Sequence, residues 1–127
     1  MIPYHATTRD IVVTVRPVYL DGQSDMMERK FVFGYLVRIE NHGIEPIQLL
    51  RRHWFITDES GKVDEVEGEG VIGQQPVIEP GEAHQYNSFC VLETFTGSMR
   101  GHYIMERYHG ERFKVEIPRF DLKAAVN

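Results

Sequence analysis

The pattern of hydrophobic and polar positions predicts β-strands along the whole chain, most clearly between residues 31 and 39. Apolar side chains occupy every second position there: Phe31, Phe33, Tyr35, Val37 and Ile39. Such alternation indicates a half-buried strand, because successive side chains of a strand point to opposite faces of the sheet. No segment longer than a turn has the 3.6-residue period of an amphipathic helix. The chain is therefore predicted to be all-β.

Seven further segments have the pattern or composition of strands, and turn residues separate them. They are residues 11–19, 47–57, 62–67, 75–78, 83–92, 101–107 and 111–117. Seven or eight short strands at a spacing of roughly 8 to 12 residues are typical of a β-sandwich, and a barrel is the main alternative. Trp54, on the third strand, resembles the core tryptophan of immunoglobulin-like sandwiches, although the paired cysteines of those domains are absent.

Proline and glycine positions refine this prediction. Residues 11–19 are predicted to form an edge strand, because Pro17 has no N–H to donate to a second neighbouring strand. A bulge is predicted near residues 50–52, because apolar residues occupy both odd and even positions of the strand before it. Pro80 and Gly81 suit the second and third positions of a type II turn. Residues 108–110 are predicted to connect the last two strands as a hairpin.

Composition and charge narrow the class of protein. The 127 residues correspond to a single domain, residues 1–127, of average globular composition, with 42% hydrophobic and 26% charged residues. The net charge of -5 argues against nucleic-acid binding, which requires a basic face. The single cysteine, Cys90, excludes an internal disulfide and a cysteine-based zinc site and favours the cytoplasm. We expect no membrane span and no secretion signal, because no segment approaches about 18 apolar residues.

Residues 68–73 spell GxGxxG, the motif of dinucleotide-binding loops, with Gly68, Gly70 and Gly73 at the glycine positions. In such a loop the amino terminus of the following helix binds the pyrophosphate. Here Pro76 and Pro80 leave no room for a helix of useful length, and the neighbouring glutamates would repel a phosphate. We therefore interpret the three glycines mainly as residues that the backbone geometry requires, with a phosphate-binding loop as the alternative.

Other candidate sites lack the spacing that their chemistry requires. Residues 58–69 are acidic, but Lys62 and Val63 occupy positions that an EF-hand gives to a ligand and to glycine, so we interpret this run as a solvated face. His84 and Cys90 are separated by about 20 Å along a strand, too far for a nucleophile and its base. The histidines form no short-range metal-binding pair. We predict no metal site, no cofactor and no enzymatic activity.

The stretch RRHWFITDESGKVDEVEGEGVIGQQPVIEPGEAHQYNSF, together with the later run GSMRGHYIM, closely resembles the bacterial ApaG family. The resemblance covers nearly the whole chain. Its HW, GxGVxGxQPxxxPGE and GxMxGxY elements together are far more specific than GxGxxG alone. The resemblance implies a fibronectin type III-like sandwich, in agreement with the strand pattern.

The resemblance also implies an association with cobalt and magnesium efflux, although the family has no established activity. A domain of this fold occurs within some eukaryotic F-box proteins and a polymerase-delta-interacting protein, which by analogy implies an interaction module. The family's glycine motif, carried onto Gly68, Gly70 and Gly73, implies a pyrophosphate site as the alternative function.

We therefore expect a non-enzymatic domain that binds a protein partner and is linked indirectly to cobalt and magnesium homeostasis. Its candidate contact surfaces are residues 11–15 of the predicted edge strand and the acidic, glycine-rich segment 58–73. A free edge strand can also pair with a second copy of the chain, so a homodimer is an alternative assembly.

Overall fold

Nine strands and one three-residue 3-10 helix form the regular structure of residues 3–125, the part of the chain that the computed structural model describes. The strands are β1 Tyr4–Thr8, β2 Ile11–Tyr19, β3 Phe31–Asn41, β4 Ile47–Asp58, β5 Val63–Glu69, β6 Val77–Ile78, β7 Ala83–Leu92, β8 Thr96–Arg107 and β9 Arg112–Lys123. The 3-10 helix, Asp21–Gln23, precedes β3. Within residues 3–125 no helix is long and apolar enough to cross a membrane.

The strands form two antiparallel sheets that pack face to face. One sheet has the strand order β1-β2-β3-β7, and the other has the order β5-β4-β8-β9 with β6 paired to β4. The predicted all-β sandwich is confirmed, with β1 as a strand that the sequence pattern did not indicate. The register shift between Leu49 and Arg51 confirms the predicted bulge. The turn after Pro80 is also confirmed, because Gly81 has a φ of 81°.

The prediction that residues 11–19 form an edge strand is wrong. β1 pairs with the first five residues of β2, and β3 pairs with β2 on its other side. Pro17 lies beyond the end of β1. The N–H of Leu20 donates to the carbonyl of Val32, and the alternation of the antiparallel ladder then turns the nitrogen of Pro17 away from β3. Pro17 therefore costs no hydrogen bond to β3, but residues 11–15 are paired on both sides and offer no free edge.

The inward faces of the two sheets form one hydrophobic core. Within it Tyr35, Trp54 and Phe120 pack together, with ring centroids 5.3 to 6.0 Å apart. Trp54 is only 3% exposed, as its position on the inward face of β4 predicts. Aromatic side chains remove about 150–250 Å² each from water on burial, so this cluster contributes strongly to the stability of the sandwich.

The sandwich is closed along one side and open along the other. On the closed side β1 lies against β9, where the rings of Tyr4 and Phe120 are 6.1 Å apart and the N–H of Glu116 donates to the hydroxyl of Thr8. On the open side the edge strands are β7 of one sheet and β5 of the other. All residues of β5 are exposed or half-buried. A cleft therefore lies between these two edges, accessible to solvent.

Candidate functional site

The cleft between β5 and β7 has a volume of about 350 Å³, within the usual range of small-ligand pockets of about 300–1,000 Å³. Its apolar lining includes Trp54, Val66 and Met99, and its polar lining includes Arg52 and Tyr86. The lining residues as a whole come from β3, β4, β5, β7, β8 and the turn after β5. The cleft is thus assembled by the fold rather than by one sequence motif.

A tight turn made by residues 71–74 forms one wall of the cleft. The N–H of Val71 donates to the carbonyl of Gln74, and the N–H of Gln74 donates to the carbonyl of Val71. Between them Ile72 and Gly73 have positive φ angles of 47° and 71°, as in a type I′ turn. Asn-Gly is favoured in such turns, and a β-branched residue with positive φ is an outlier. Ile72 adopts this conformation while 63% exposed at the cleft.

Arg52 fixes the backbone that leads into this turn. Its Nη1 donates to the carbonyl oxygens of Glu69 and Gly70 at 3.0 and 2.9 Å. Gly68 is the partner of Arg52 in the β4–β5 ladder, and a Cβ atom there would lie 2.9 Å from the guanidinium nitrogens. The absent side chain of Gly68 therefore makes room for Arg52. Sequence reasoning missed this role, because the β4–β5 register that pairs the two residues is not visible in the sequence.

The other two glycines of the motif have left-handed backbones. Gly70 has a φ of 63°, and a Cβ atom there would lie 2.1 Å from the carbonyl oxygen of Gln74. Gly73 has a φ of 71°, and a Cβ atom there would meet no atom within 4 Å. Left-handed conformations cost little for glycine and about 1–2 kcal/mol for other residues. Both glycines therefore have a role in backbone geometry, and at Gly70 close packing adds to it.

The amide groups of this segment are largely committed to the protein itself. The N–H groups of Gly70 and Val71 donate to the carbonyls of Leu50 and Gln74, each at 2.8 Å. The next regular element is the strand β6 and not a helix, so the segment lacks the helix amino terminus of a dinucleotide-binding loop. A phosphate site at Gly68, Gly70 and Gly73 stays a prediction. The N–H groups of Gly70 and Val71 would not be available to bind the anion, because they already donate within the protein.

The phenol and thiol groups of the cleft stay protonated at neutral pH. The hydroxyls of Tyr86 and Tyr103 share a hydrogen bond, and burial raises the pKa of both. Burial also raises the pKa of the Cys90 thiol to about 12. This thiol donates to the sulfur of Met99 at 3.6 Å. Because the thiolate is the reactive form of cysteine, Cys90 is a core residue and a poor nucleophile.

β7 presents a free hydrogen-bonding edge at the mouth of the cleft. It pairs with β3 on one side and ends its sheet on the other. Just before β7, the N–H of Asn41 donates to the carbonyl of Glu82, which fixes the alternation of this antiparallel ladder. The N–H and C=O groups of Gln85, Asn87 and Phe89 consequently point away from β3, toward the open edge.

β7 also lacks the features that protect the other sheet edges in residues 3–125. Ala83–Leu92 contains no Asp, Glu, Lys, Arg, Gly or Pro. By contrast, β5 carries four carboxylates, β9 carries Pro118 and several charged residues, and β1 has only five residues. Charges, prolines and short length are the features by which natural sheets avoid pairing with a further strand. β7 is therefore the edge best suited to accept one.

An apolar patch lies beside this edge on the outer face of the sheet. It consists of Val18, Leu36, Phe89 and Val91, of which Phe89 and Val91 are 66% and 47% exposed. Val18 and Phe89 lie in one row across the sheet, on either side of Gly34. Contiguous exposed apolar side chains mark interaction surfaces. This outer-face patch would be covered in part by a strand added to β7.

β5, across the cleft, supplies negative charge. Val66 and Asp64 are the ladder partners of Trp54 and Ile56, so they face the cleft side of the sheet. Glu69 borders the cleft, although its pairing with Arg51 places its side chain on the other face of β5. The opposite face of β5 carries further carboxylates. The cleft therefore has one acidic wall, β5, and one wall, β7, without Asp, Glu, Lys or Arg.

The histidine nearest these carboxylates does not build a metal site. Nε2 of His53 is 3.5 Å from a carboxylate oxygen of Glu65, and Nδ1 is 3.4 Å from one of Glu67. The two carboxylates thus lie on opposite sides of the imidazole and do not converge on one point. Across residues 3–125, no group of three Asp, Glu, His or Cys side chains has a metal-binding arrangement.

Comparison with known proteins identifies the family to which the chain is similar. The family model of the ApaG domain matches residues 21–107. The chain is 52% identical to Protein ApaG of Sinorhizobium fredii over 119 residues, which are 94% of this chain and 92% of that protein. It is 54% identical to Protein ApaG of Rhodospirillum centenum, with the same coverage.

Solved structures agree with the fold. A crystal structure from Bordetella pertussis, described as an ApaA protein, superposes with a TM-score of 0.88 at 46% identity, covering 90% of this chain and 93% of that one. A protein from Archaeoglobus fulgidus has a TM-score of 0.53 at 12% identity, covering 89% of this chain and 97% of that one. The second similarity shows a shared fold alone.

Proposed function

The chain belongs to the ApaG domain family, and we propose that it acts in the cytoplasm as a non-enzymatic binding domain to which a protein partner adds a β-strand along β7. The observation that carries this proposal is the ten-residue edge of β7, which contains no Asp, Glu, Lys, Arg, Pro or Gly. In strand addition, main-chain hydrogen bonds supply affinity and contacts of alternate side chains supply specificity.

The surroundings of β7 support this mode of binding. An added strand would hydrogen-bond to the outward N–H and C=O groups of Gln85, Asn87 and Phe89. Its side chains would alternate between the cleft on the inner side and the outer-face patch on the other, because strand side chains alternate with a period of two. Both sides of the added strand would therefore bury apolar surface.

One observation favours a binding role over catalysis. Burial raises the pKa values of Cys90, Tyr86 and Tyr103, so these groups stay protonated at neutral pH. A link to cobalt and magnesium homeostasis would then be indirect and would pass through the partner. Binding of pyrophosphate or a nucleotide phosphate at residues 68–73 is the alternative function, and calorimetric titration with pyrophosphate and with ATP tests it.

The proposal is tested with a display library of random ten-residue peptides, selected on the purified protein. The selected peptides are then titrated against Asn87→Pro and Asn87→Ala variants by fluorescence anisotropy. Asn87→Pro removes an outward N–H that β3 does not use, whereas Asn87→Ala removes the side chain and keeps the N–H. Strand addition predicts that Asn87→Pro weakens binding about tenfold or more, since it removes a main-chain hydrogen bond and obstructs the edge, and that Asn87→Ala changes it little.

Equal binding by both variants and the unchanged protein would contradict strand addition at β7. The urea midpoint, followed by Trp54 emission, shows whether each variant is folded. Gln85→Pro, which also removes an outward N–H, replaces Asn87→Pro if the latter does not fold.

A further inference from the structure

The acidic wall of the cleft constrains what kind of strand β7 can accept. Residues 58–69 contain Asp58, Glu59, Asp64, Glu65, Glu67 and Glu69, with Lys62 as the one cationic residue among them. β7, on the other side of the cleft, has no carboxylate and no cationic Lys or Arg. A segment that enters between the two edges therefore meets the carboxylates of β5, and β7 does not neutralise them. Arg52 also lines the cleft, where its guanidinium donates to the carbonyls of Glu69 and Gly70.

The carboxylates lie on the two sides of an apolar centre. Val66 and Trp54 line the cleft as one ladder pair. Along β5, Asp64 comes two residues before Val66, and Glu69 comes three residues after it. Because a strand rises about 3.3 Å per residue and its side chains alternate, Asp64 lies about 7 Å from Val66 on the same face. Glu69 lies about 10 Å from Val66 in the other direction, with its side chain on the opposite face.

A second copy of this chain fits this surface poorly. Pairing of β7 with β7 of another copy would be isologous, so that the same surface faces itself across a two-fold axis. The axis would bring the β5 edges of both copies to the same side of the joined sheet. The four carboxylates of β5 in one copy would then face the same four carboxylates in the other copy. Like charges placed opposite one another disfavour association. The net charge of -5 on each copy acts in the same direction.

From this arrangement we infer that the strand accepted by β7 is an extended peptide segment of a different protein, with a large apolar anchor residue that enters the cleft and basic residues on either side that meet Asp64 and Glu69. This inference rests on the proposed strand addition at β7. The basic residues determine selectivity and the rate of encounter, while the main chain and the apolar anchor supply most of the affinity.

The test uses peptides selected as described for the proposed function. The measured quantities are the sequence bias of the selected pool and the Kd of one selected peptide, with its basic residues present or replaced by Glu. A double variant, Asp64→Asn with Glu69→Gln, removes one carboxylate on each side of Val66 along β5. Its matched control, Glu116→Gln with Asp121→Asn, makes the same change of net charge on β9, at the opposite edge of the same sheet.

We expect enrichment of Lys and Arg on both sides of an apolar anchor. The cleft variant should bind about three- to tenfold more weakly, as expected when two partly exposed ion pairs are lost, and the control should stay within about twofold. Binding to the unchanged protein should weaken as salt rises from 0.05 to about 0.5 M, because salt screens such pairs.

The outcomes separate the inference from the proposal beneath it. Peptides that bind in an Asn87→Pro-sensitive way but have neutral or acidic flanks would overturn the inference and leave strand addition intact. A selection without any Asn87→Pro-sensitive peptide would overturn both. A concentration-dependent dimer in sedimentation velocity that Asn87→Pro abolishes would show that a second copy is the occupant, which also contradicts the inference.

Discussion

Substitution of Gly70 by alanine should destabilise the fold more than the same substitution at Gly73. Both residues have left-handed backbones, with φ of 63° and 71°. They differ in surroundings, since a Cβ atom at Gly70 would lie 2.1 Å from the carbonyl oxygen of Gln74, whereas at Gly73 nothing lies within 4 Å. The pair therefore separates the cost of close packing from the cost of conformation.

The magnitude follows from these contacts. A left-handed alanine costs about 1–2 kcal/mol, and the lower entropy of the unfolded chain returns about 0.4–1 kcal/mol. At Gly70 the Gln74 carbonyl must also retreat beyond 3.0 Å. That carbonyl accepts the N–H of Val71, so its movement weakens a hydrogen bond worth about 0.5–1.5 kcal/mol and strains the turn. We expect Gly70→Ala to lose about 2 kcal/mol and Gly73→Ala about 1 kcal/mol.

Urea unfolding followed by the emission of Trp54 provides the assay, because this single tryptophan is buried. With an unchanged m-value, the shift in midpoint converts directly into a change in the free energy of unfolding. Equal losses for the two variants, or losses below about 0.5 kcal/mol for both, would refute the packing argument. A further titration with pyrophosphate should detect no site in the unchanged protein. Saturable binding that Gly70→Ala abolishes would instead support the phosphate alternative.

Two further predictions concern Ile72, in the turn of residues 71–74, and His102, on β8. Ile72→Asn should raise the free energy of unfolding by about 0.5–1 kcal/mol, because asparagine tolerates the positive φ of this turn better than a β-branched residue does; a lower urea midpoint would contradict this assignment. The pKa of His102 is lowered by partial burial and by the nearby charges of Lys114 and His53, against the opposing effect of Glu116 and Glu67. The unfolded chain therefore binds a proton at His102 near pH 6.5 while the folded chain does not, so stability should fall as the pH drops through 6.5 toward the lowered pKa. His102→Gln should flatten the dependence of the urea midpoint on pH in that window, and an unchanged slope would count against this origin.

The sequence predicts most of the strands because their side-chain pattern reflects burial directly. The alternation from Phe31 to Ile39 became β3, and Trp54 is buried as its strand position indicates. β1 was missed because YHATT has few apolar residues and its side chains are only half-buried where they face inward. Pro17 led to a wrong edge assignment, because a proline shows that one N–H is unused and does not show how far the neighbouring strand extends.

The candidate site was less accessible to sequence reasoning because it depends on strand order and register. The uncharged composition of residues 83–92 is visible in the sequence, yet only the fold shows that this strand ends a sheet and faces the acidic β5. The pairing of Arg52 with Gly68 likewise follows from the β4–β5 register. The glycine motif was recognisable, but its contacts distinguish a packed turn from a dinucleotide-binding loop, and those contacts are tertiary.

The most direct test of strand addition is residue-resolved amide hydrogen exchange along β7, measured by NMR with and without a selected peptide. In the free protein, the inward N–H groups of Tyr86 and Ser88 should exchange slowly, since they bond to β3, and those of Gln85, Asn87 and Phe89 should exchange fast. Peptide binding should slow exchange at these three outward amides and leave the inward pair unchanged. Protection that appears instead at residues 68–74, with no change at Gln85, Asn87 and Phe89, would contradict strand addition at β7.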